Sequence, residues 1–336
     1  MRAVLTTAHG DRSVLALKSD HPDPVPGPGE VVVTIAATAV NYHDIFTRRG
    51  MPGIRIDLPV IVGSDIAGEV TELGDGADAG WLGQRVLIDP VFRDGKRFGM
   101  IGETCDGGRA ERIAVATGQL LRVPDGVTLE QAASLPLAYG TAWRMMVTRG
   151  RVADGETVLV LGASGGVGVA CVQIARLFGA RVIACASSER KAERLRSLGA
   201  DEVVNYAERP FRESVQEIIG KPRMSGDGGV DVAVNFTGGD TLIDTQKCTR
   251  LGGRILTCGA TAGYELDLDA RYWWTFEHDM IGSNGWEPSD LEALLQAIDD
   301  ERLAPEIDRR FPLEETAEAE RLLEDREVVG KVLIVP

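Results

Sequence analysis

The sequence predicts an α/β protein in which an irregular β domain precedes a doubly wound, parallel sheet. Its first part, up to about residue 122, is rich in Gly, Pro and Val and places short β-type runs between turn signals. From about residue 155, segments of strand length and helix length alternate, as they do in a parallel sheet covered by helices. The 336 residues suit two domains, since one domain holds roughly 100–200 residues.

The elements follow from local patterns. In the first part, β-type runs are clearest at 30–35 and 85–88, and the Pro-Gly-Pro-Gly of 26–29 is a turn signal. In the alternating part, Gly179 and Gly199 end two helices, because glycine readily adopts the conformation that closes a helix. The elements predicted beyond residue 155 are strand 157–161, helix 167–178, strand 181–186, helix 189–198, strands 230–236 and 254–258, helices 289–299 and 314–325, and strand 331–335.

Composition disfavours several classes of function. Hydrophobic residues make up 44% and charged residues 26%, an ordinary globular balance. The net charge of −15 argues against a nucleic-acid partner, because phosphate backbones repel it. No apolar run reaches the ~18 residues of a membrane helix, so no membrane partner is expected. The residues after Met1 soon turn polar, unlike a signal peptide, and five scattered cysteines favour reduced thiols and a cytoplasmic location.

The strongest motif is the glycine-rich turn Val-Leu-Val-Leu-Gly-Ala-Ser-Gly-Gly-Val-Gly at 158–168, which follows a predicted strand and opens a predicted helix. A pyrophosphate needs free N–H groups at a helix N-terminus and an approach that no Cβ blocks. Gly165 permits that approach, and Gly168 lets the helix pack on the strand. We expect dinucleotide binding here; the alternative is a tight turn without a ligand. The candidate residues are Ser164, Gly165, Gly166, Val167 and Gly168.

The end of the second strand of this part distinguishes NADH from NADPH. An NADH site usually carries an acid there, which accepts a hydrogen bond from the ribose 2′-hydroxyl. Here the strand ends in Ser187 and Ser188, and the cations Arg190 and Lys191 follow, which suits a 2′-phosphate. Glu189 is the competing acid. The prediction is NADPH; the alternative is an N-cap serine followed by a solvated helix face.

Several further motifs occur in the order in which one superfamily carries them. They are Gly-Glu-Val at 29–31, Asn-Tyr-His-Asp at 41–44, Arg-Gly at 49–50, Pro-Val-Ile-Val-Gly-Ser-Asp-Ile-Ala-Gly at 59–68, Gly-Gln-Arg-Val at 83–86 and Gly-Lys-Val at 330–332. With the glycine turn, they make nearly the whole chain similar to the medium-chain dehydrogenase/reductase superfamily, and most similar to its zinc-independent quinone oxidoreductase and enoyl reductase branch. The resemblance implies a GroES-like catalytic domain from 1–122 and 285–336, a Rossmann domain from 123–284, an active site in the cleft between these domains, and a homodimer.

The resemblance also bears on metal. The superfamily's alcohol dehydrogenases hold a catalytic zinc with Cys, His and Cys, and the resembling positions here are Asn41, Ser64 and either Ala133 or Ser134. Their structural zinc needs four close cysteines, but the matching loop, 89–110, contains one. Zinc prefers thiolate, imidazole or carboxylate ligands, so we expect no metal. Alcohol oxidation depends on a Lewis acid to stabilise its alkoxide transition state, whereas hydride delivery to a quinone or an enone does not.

Three candidate catalytic residues come from the same resemblance. Asn41 is similar to an active-site Asn near the nicotinamide, where it would orient the carboxamide or donate to the substrate oxygen; the alternative is a turn residue. His43 stands where zinc dehydrogenases carry a proton-relay hydroxyl, so it could supply the proton, or it is a packed or surface histidine. Asp44 resembles an Asp that braces the loop. Phe46 replaces the Tyr of several quinone reductases and cannot donate a proton.

Further cofactor contacts are implied at two strand ends. Lys191 and Tyr206 keep the spacing of a Lys and a Tyr that contact the 2′-phosphate region in related reductases; alternatively, Tyr206 marks a strand end. Gly259, Ala260 and Thr261 follow the fifth strand of the parallel sheet, where the carboxyl edge meets the nicotinamide side.

Other unusual residues favour structural interpretations. Trp273 and Trp274, with the segment 281–286, either form an aromatic wall for a flat substrate or, as we prefer, belong to the core or a subunit interface. Cys248 and Cys258 are expected to be buried small apolar residues. The cations within 93–97 are expected in a solvated loop; the alternative is a docking site for an anionic handle such as coenzyme A.

The sequence thus predicts a cytoplasmic, zinc-independent, NADPH-dependent reductase of quinones or α,β-unsaturated carbonyl compounds, with water or His43 as the proton source. Two alternatives stay open. One is a relative of the alcohol dehydrogenases that oxidises alcohols without zinc. The other is a non-enzymatic NADPH-binding sensor or scaffold, for which Phe46 is the weak sequence hint.

Overall fold

The computed structural model describes residues 1–51, 53–93, 95 and 99–336. The chain forms two compact units. Unit 1 consists of Met1–Leu137 and Leu291–Pro336, and unit 2 of Ala138–Asp290. The sequence predicted domain boundaries at 122/123 and 284/285, whereas the changes of unit fall at 137/138 and 290/291.

Strands and helices alternate most regularly in unit 2. The strands are β1 Ala3–Thr6, β2 Leu15–Lys18, β3 Glu30–Val40, β4 Val60–Ile61, β5 Asp65–Leu73, β6 Arg85–Ile88, β7 Arg112–Ala116, β8 Leu120–Arg122, β9 Thr157–Val160, β10 Arg181–Ala186, β11 Glu202–Asn205, β12 Val230–Val234, β13 Thr249–Thr257, β14 Asp279–Gly282, β15 Ile307–Pro312 and β16 Lys331–Val335. The α-helices are α1 Tyr42–Arg49, α2 Leu129–Ala133, α3 Thr141–Trp143, α4 Gly166–Leu177, α5 Glu189–Ser197, α6 Phe211–Ile219, α7 Thr241–Gln246, α8 Ala270–Thr275, α9 Pro288–Asp299 and α10 Thr316–Glu324. Two π-helical segments, Leu135–Gly140 and Arg144–Arg149, adjoin α3.

Unit 1 is a β unit to which both ends of the chain contribute. Its larger sheet has the strand order β15-β16-β3-β5-β6-β8, with β7 also paired to β3, and β2-β1-β4 form a smaller sheet. Apolar side chains that alternate along β3, β5 and β6, among them Val33, Ile66 and Val86, are fully buried in one core cluster. This order brings the end of β3 beside the starts of β5 and β16.

Unit 2 is a doubly wound sheet of six parallel strands in the order β11-β10-β9-β12-β13-β14. The chain starts at the central strand β9, moves outward to β10 and β11, and then returns to the other side of β9 with β12. The strand order therefore reverses beside β9, which in open α/β sheets is where ligands bind. Apolar strand residues such as Leu159, Ile183 and Ala233 form the core.

The structure confirms the predicted fold class and most predicted elements. The strands predicted at 85–88, 181–186 and 331–335 have the bounds of β6, β10 and β16. The strand predicted at 254–258 was too short, because β13 begins at Thr249 with a polar, glycine-containing stretch that pairs with β12 through a bulge. The edge strand β15 was missed, since it pairs only with β16 and lacks an apolar run.

The cysteine interpretation holds for Cys248, which is fully buried in the unit 2 core, whereas Cys258 is only half-buried. Burial raises the pKa of the Cys248 thiol to about 12. Among the described residues, no helix has both the length and the apolar character needed to cross a bilayer.

Candidate functional site

The glycine-rich turn joins β9 to α4 in unit 2. Gly165 is the N-cap of α4 in an extended conformation, and Gly162 has a φ of +63°, which glycine adopts without strain. The first N–H groups of any α-helix have no acceptor within the helix, so those of Gly166, Val167 and Gly168 point out of its positive end. The turn follows the central strand, at the place where the strand order reverses. This arrangement can receive a pyrophosphate.

The glycines of this turn differ in what surrounds them. A Cβ added at Gly168 would lie 2.3 Å from the carbonyl oxygen of Gly162 and 2.6 Å from the Cα of Ala163, so only glycine fits there. A Cβ at Gly165 would have its nearest neighbour 3.7 Å away, in space that the protein leaves open. Gly165 is exposed, and Ser164 and Val167 are half-buried. The open space at Gly165 is therefore suited to the close approach of a phosphate.

The residues after β10 lie around the N-terminus of α5. The Ser188 hydroxyl accepts the Lys191 N–H at 3.4 Å, so Ser188 is the N-cap. Glu189 pairs with Arg196 at 2.6 Å, two turns further along the helix. Arg190 is exposed and Lys191 is buried. Ser187, half-buried, precedes this helix.

Tyr206 lies at the same edge of the sheet. Its N–H donates to the carbonyl oxygen of Ala186 at 3.0 Å, and its side chain is half-exposed. The structure therefore brings Tyr206 to the end of β10, next to Ser187, although the two residues are far apart in sequence.

The loops after β12 and β13 are joined at this edge as well. Thr261 donates its N–H to the carbonyl oxygen of Phe236 at 3.2 Å, and the Thr257 hydroxyl donates to the carbonyl oxygen of Gly259 at 2.9 Å. Ala260 packs against Gly238. These contacts place the predicted segment 259–261 beside the loop after β12.

Asn235, which the sequence interpretation missed, organises that loop. Its side-chain oxygen accepts the N–H groups of Thr237 and Gly238, each at 3.1 Å, and its amide donates to the hydroxyls of Thr241 and Thr245. Asn235 is buried. The available signal was an amide side chain directly after an apolar strand.

In unit 1, a buried polar cluster forms where three strand ends meet. The Asn41 amide donates to Asp65 Oδ2 at 2.9 Å, and the Lys331 ammonium donates to the same oxygen at 3.1 Å and to Asn41 Oδ1. Asp65 Oδ1 accepts the Leu137 N–H at 2.8 Å. Ala39 pairs with Asp65 in the ladder between β3 and β5. We call Asn41, Asp65 and Lys331 the strand-end cluster; all three are buried.

His43, on α1, is held by a carboxylate from a distant loop. Its Nε2 lies 2.6 Å from Glu103 Oε2, with 18% of the histidine and 4% of the glutamate side chain exposed. Burial is the largest influence on the pKa of His43 and lowers it, but the hydrogen bond to Glu103 and the charges of Asp44, Glu103 and Asp65 together raise it above its ordinary value. The imidazole therefore retains a proton more readily than a free histidine does.

Asp44 is fully buried, and its Oδ1 has no hydrogen-bond partner among the described residues. Its Oδ2 accepts the Asn41 N–H at 2.9 Å and lies 3.3 Å from a guanidinium nitrogen of Arg109. Burial raises the pKa of the Asp44 carboxyl, against the opposing effect of Arg109. Arg109 also pairs with Glu320, which Arg48 contacts at 2.6 Å. This network links α1 to α10.

The residues at the zinc-ligand positions do not fit a zinc ion. Asn41 Oδ1 already accepts a hydrogen bond from an ammonium, which would repel a dication. The Ser134 hydroxyl donates to the carbonyl oxygen of Glu130 at 2.9 Å. The Ser64 hydroxyl is buried, with no hydrogen-bond partner among the described residues. Within the described ranges, no group of three His, Cys, Asp or Glu could hold a metal ion.

Asp65, Glu103 and Lys331 had no assigned role in the sequence interpretation. Lys331 opens an otherwise apolar strand, and Asp65 directly precedes the buried apolar residues 66–68 of β5; these were the available signals. Glu103 belongs to an irregular loop, where a carboxylate is normally solvated, so no local pattern marks it.

The tryptophans divide between two environments. Trp286 is buried, as the core interpretation expects, whereas 47% of Trp273 and 67% of Trp274 are exposed within this chain. Trp273 and Trp274, together with His278, line an open groove of about 340 Å³. Of the cationic segment 93–97, residues 94, 96 and 97 lie outside the described residues.

Comparison with known proteins agrees with this architecture. The alcohol dehydrogenase GroES-like domain family matches residues 27–125, and the zinc-binding dehydrogenase family matches residues 166–300. Human quinone oxidoreductase is 30% identical to this chain, and the similarity covers 100% of this chain and 98% of that protein. Crotonyl-CoA reductase of Streptomyces collinus is 32% identical, over 90% of this chain and 78% of that protein. A crystal structure of an NAD-dependent alcohol dehydrogenase is 37% identical, with a TM-score of 0.92 and complete coverage of both chains.

The glycine turn at the reversal of a parallel sheet and a β unit to which both chain ends contribute define a class of nicotinamide-dependent oxidoreductases. The chain belongs to the medium-chain dehydrogenase/reductase superfamily.

Proposed function

We propose that this oxidoreductase is a zinc-independent, NADPH-dependent reductase that transfers a hydride to a quinone or to an α,β-unsaturated carbonyl compound, either an enone or an enoyl thioester. The observation that carries the proposal is the strand-end cluster. A buried ammonium, Lys331, donates to Asn41, the position at which the superfamily's alcohol dehydrogenases carry a zinc ligand. Although one matching family is named for zinc binding, these side chains favour chemistry that needs no metal.

The residues that would hold NADPH are those described at the carboxyl edge of unit 2. Bound NADPH supplies a hydride from its nicotinamide ring. The N–H groups of Gly166, Val167 and Gly168 would receive the pyrophosphate. The Ser187 hydroxyl and Arg190 would face the ribose 2′-phosphate, while Lys191 and Tyr206 would complete that end of the site.

The preference for NADPH over NADH is supported by the arrangement of Glu189. In an NADH site, an acid at this strand end would accept a hydrogen bond from the ribose 2′-hydroxyl. Glu189 is instead paired with Arg196, toward the other end of α5. The Ser187 and Ser188 hydroxyls and the Arg190 guanidinium belong to the residues around the helix N-terminus, where the helix dipole also favours an anion.

Three residues of unit 1 would donate the proton, position the reactants and support the start of α1. His43, whose pKa is raised, would donate the proton that completes the reduction. Asn41 would position substrate or cofactor, since its side-chain oxygen accepts from Lys331 and its amide donates to Asp65. A substrate oxygen could replace the carbonyl oxygen of Ala39, which accepts from the Asn41 amide at 3.4 Å, against 2.9 Å for Asp65. Asp44 would brace the start of α1.

Both substrate classes are supported by relatives, since the chain resembles quinone oxidoreductases and acyl-CoA reductases at similar identity. Alcohol oxidation remains the second candidate, because a structure described as an NAD-dependent alcohol dehydrogenase is 37% identical. The homodimer and the cytoplasmic location are part of the same proposal.

The test measures the oxidation of NADPH by chelator-treated protein, using the absorbance of NADPH as the readout. The acceptors are quinones, simple enones and enoyl-CoA thioesters, with NADH as the control donor and NADP⁺ plus alcohols as the reverse assay. Oxidation that survives chelation and favours one acceptor class supports the proposal. Activity restored only by added zinc indicates an alcohol dehydrogenase, and tight NADPH binding without turnover indicates a sensor.

A further inference from the structure

The contact between His43 and Glu103 joins two parts of unit 1 that are 60 residues apart in sequence. At 2.6 Å the hydrogen bond is short, and Glu103 is almost fully buried. A carboxylate can only accept here, so the histidine Nε2 carries the hydrogen atom. Nδ1 is then the nitrogen through which His43 can gain or release a second proton.

The loop that carries Glu103 is tightly fixed. Gly102 has a φ of +79°, and a Cβ there would lie 2.6 Å from the backbone of Gly63, so the two chain segments are in direct contact. The Gly102 N–H donates to the carbonyl oxygen of Cys105 at 3.0 Å, and the Gly108 N–H donates to that of Gly63 at 2.7 Å. These contacts hold the backbone on either side of Glu103 in place, and its carboxylate contacts His43.

The charged groups around His43 come from several elements. Asp44 lies on the same helix, Asp65 on β5 and Glu103 on the loop, and all three raise the pKa of His43. Lys331, on β16, offsets Asp65, and Arg109 offsets Asp44. Glu103 is the member that contacts the imidazole.

We propose that Glu103 is a positioning residue that holds His43 as the Nε2–H tautomer and directs Nδ1 as the proton-delivering atom. This inference rests on the proposed function. Bound NADPH would supply a hydride to the acceptor, at the β-carbon for an enone, and the electron pair of the acceptor's double bond would move to give an enolate. The Nδ1–H bond of imidazolium then breaks, and its proton completes the product. Neutral His43 continues to donate its Nε2–H to Glu103. It regains a proton from solvent, to which the histidine is partly exposed.

The tautomer is measured by ¹⁵N NMR on histidine-labelled protein, which has only four histidines, so His43→Gln identifies the signal. Glu103→Gln retains the shape and removes the charge, and Glu103→Leu removes the acceptor. We expect the Nε2–H tautomer in the wild type and a mixture in Glu103→Leu. We expect a lower imidazole pKa in Glu103→Gln. At pH 8, kcat should fall roughly tenfold or more in both variants, with KM for NADPH within about twofold.

Glu292→Gln, an exposed carboxylate of unit 1, is the matched control and should behave as the wild type. An unchanged tautomer and pKa in both Glu103 variants would overturn the inference. So would altered NMR signals with wild-type kcat, while the proposed function would stand. Absence of NADPH oxidation by the wild type with every acceptor would overturn the proposed function and, with it, the proton delivery.

Discussion

The Lys331 ammonium lies 3.1 Å from Asp65 Oδ2, and only 2% and 0% of these side chains are exposed. The two charges lie at the starts of β5 and β16, the strands on either side of β3, and Asn41, which follows β3, bridges them. Removing an ion from water is costly, so each charge is tolerated because the other compensates it. The pair therefore fixes the environment of Asn41, and neither partner can be removed alone without consequence.

Lys331→Met is expected to destabilise unit 1 by about 3–5 kcal/mol, because Asp65 is then left charged and buried. Asp65→Asn combined with Lys331→Met should recover part of that loss. Urea unfolding followed by circular dichroism measures both effects. Lys18→Met, at an exposed position of β2, should change the unfolding free energy by less than about 0.5 kcal/mol. A Lys331→Met protein as stable as the wild type would show that the pair does not compensate Asp65.

Gly165→Ala and Gly168→Ala should distinguish an effect on NADPH binding from an effect on folding stability. The Cβ at Gly168 collides with backbone, so Gly168→Ala should lower stability by about 1–3 kcal/mol and weaken NADPH binding as well. The Cβ at Gly165 fits the protein but occupies the space open to a phosphate. Gly165→Ala should therefore keep stability within about 1 kcal/mol and weaken NADPH binding roughly tenfold or more. Thermal unfolding and NADPH fluorescence titration measure the two effects. Equal NADPH affinity in Gly165→Ala and wild type would argue against a pyrophosphate at this turn.

Arg190→Ala should reduce the preference for NADPH. One charge-assisted hydrogen bond to the 2′-phosphate contributes about 1.5–3 kcal/mol, so the Kd for NADPH should rise roughly 10- to 150-fold. The Kd for NADH should stay within about twofold, since NADH lacks that phosphate. Arg209→Ala removes an exposed cation paired with Glu213 and serves as the control. If both cofactors lost affinity equally, Arg190 would not contact the 2′-phosphate.

The sequence predicts local features of this protein well and non-local polar contacts poorly. The bounds of β10 and the turn around Gly165 follow from apolar runs and glycine positions that lie close together in the chain. The contact of His43 with Glu103 depends instead on how a loop packs against Gly63, and nothing in the neighbourhood of either residue encodes it.

His43 should make the stability of unit 1 depend on pH. Its pKa is raised in the folded protein, so between about pH 6.5 and that raised value the native state binds more protons than the unfolded state. The stabilisation is fully present below about pH 6.5 and is lost as the pH rises through the folded pKa. His43→Gln should remove this part of the dependence, so the difference in unfolding free energy from wild type should shrink between pH 6 and pH 9. Urea unfolding over that range measures it, with His9→Gln, at an exposed position, as the control. A difference that grows with pH would have the wrong sign for a histidine held protonated by Glu103, and would show that burial of the imidazole outweighs the surrounding carboxylates.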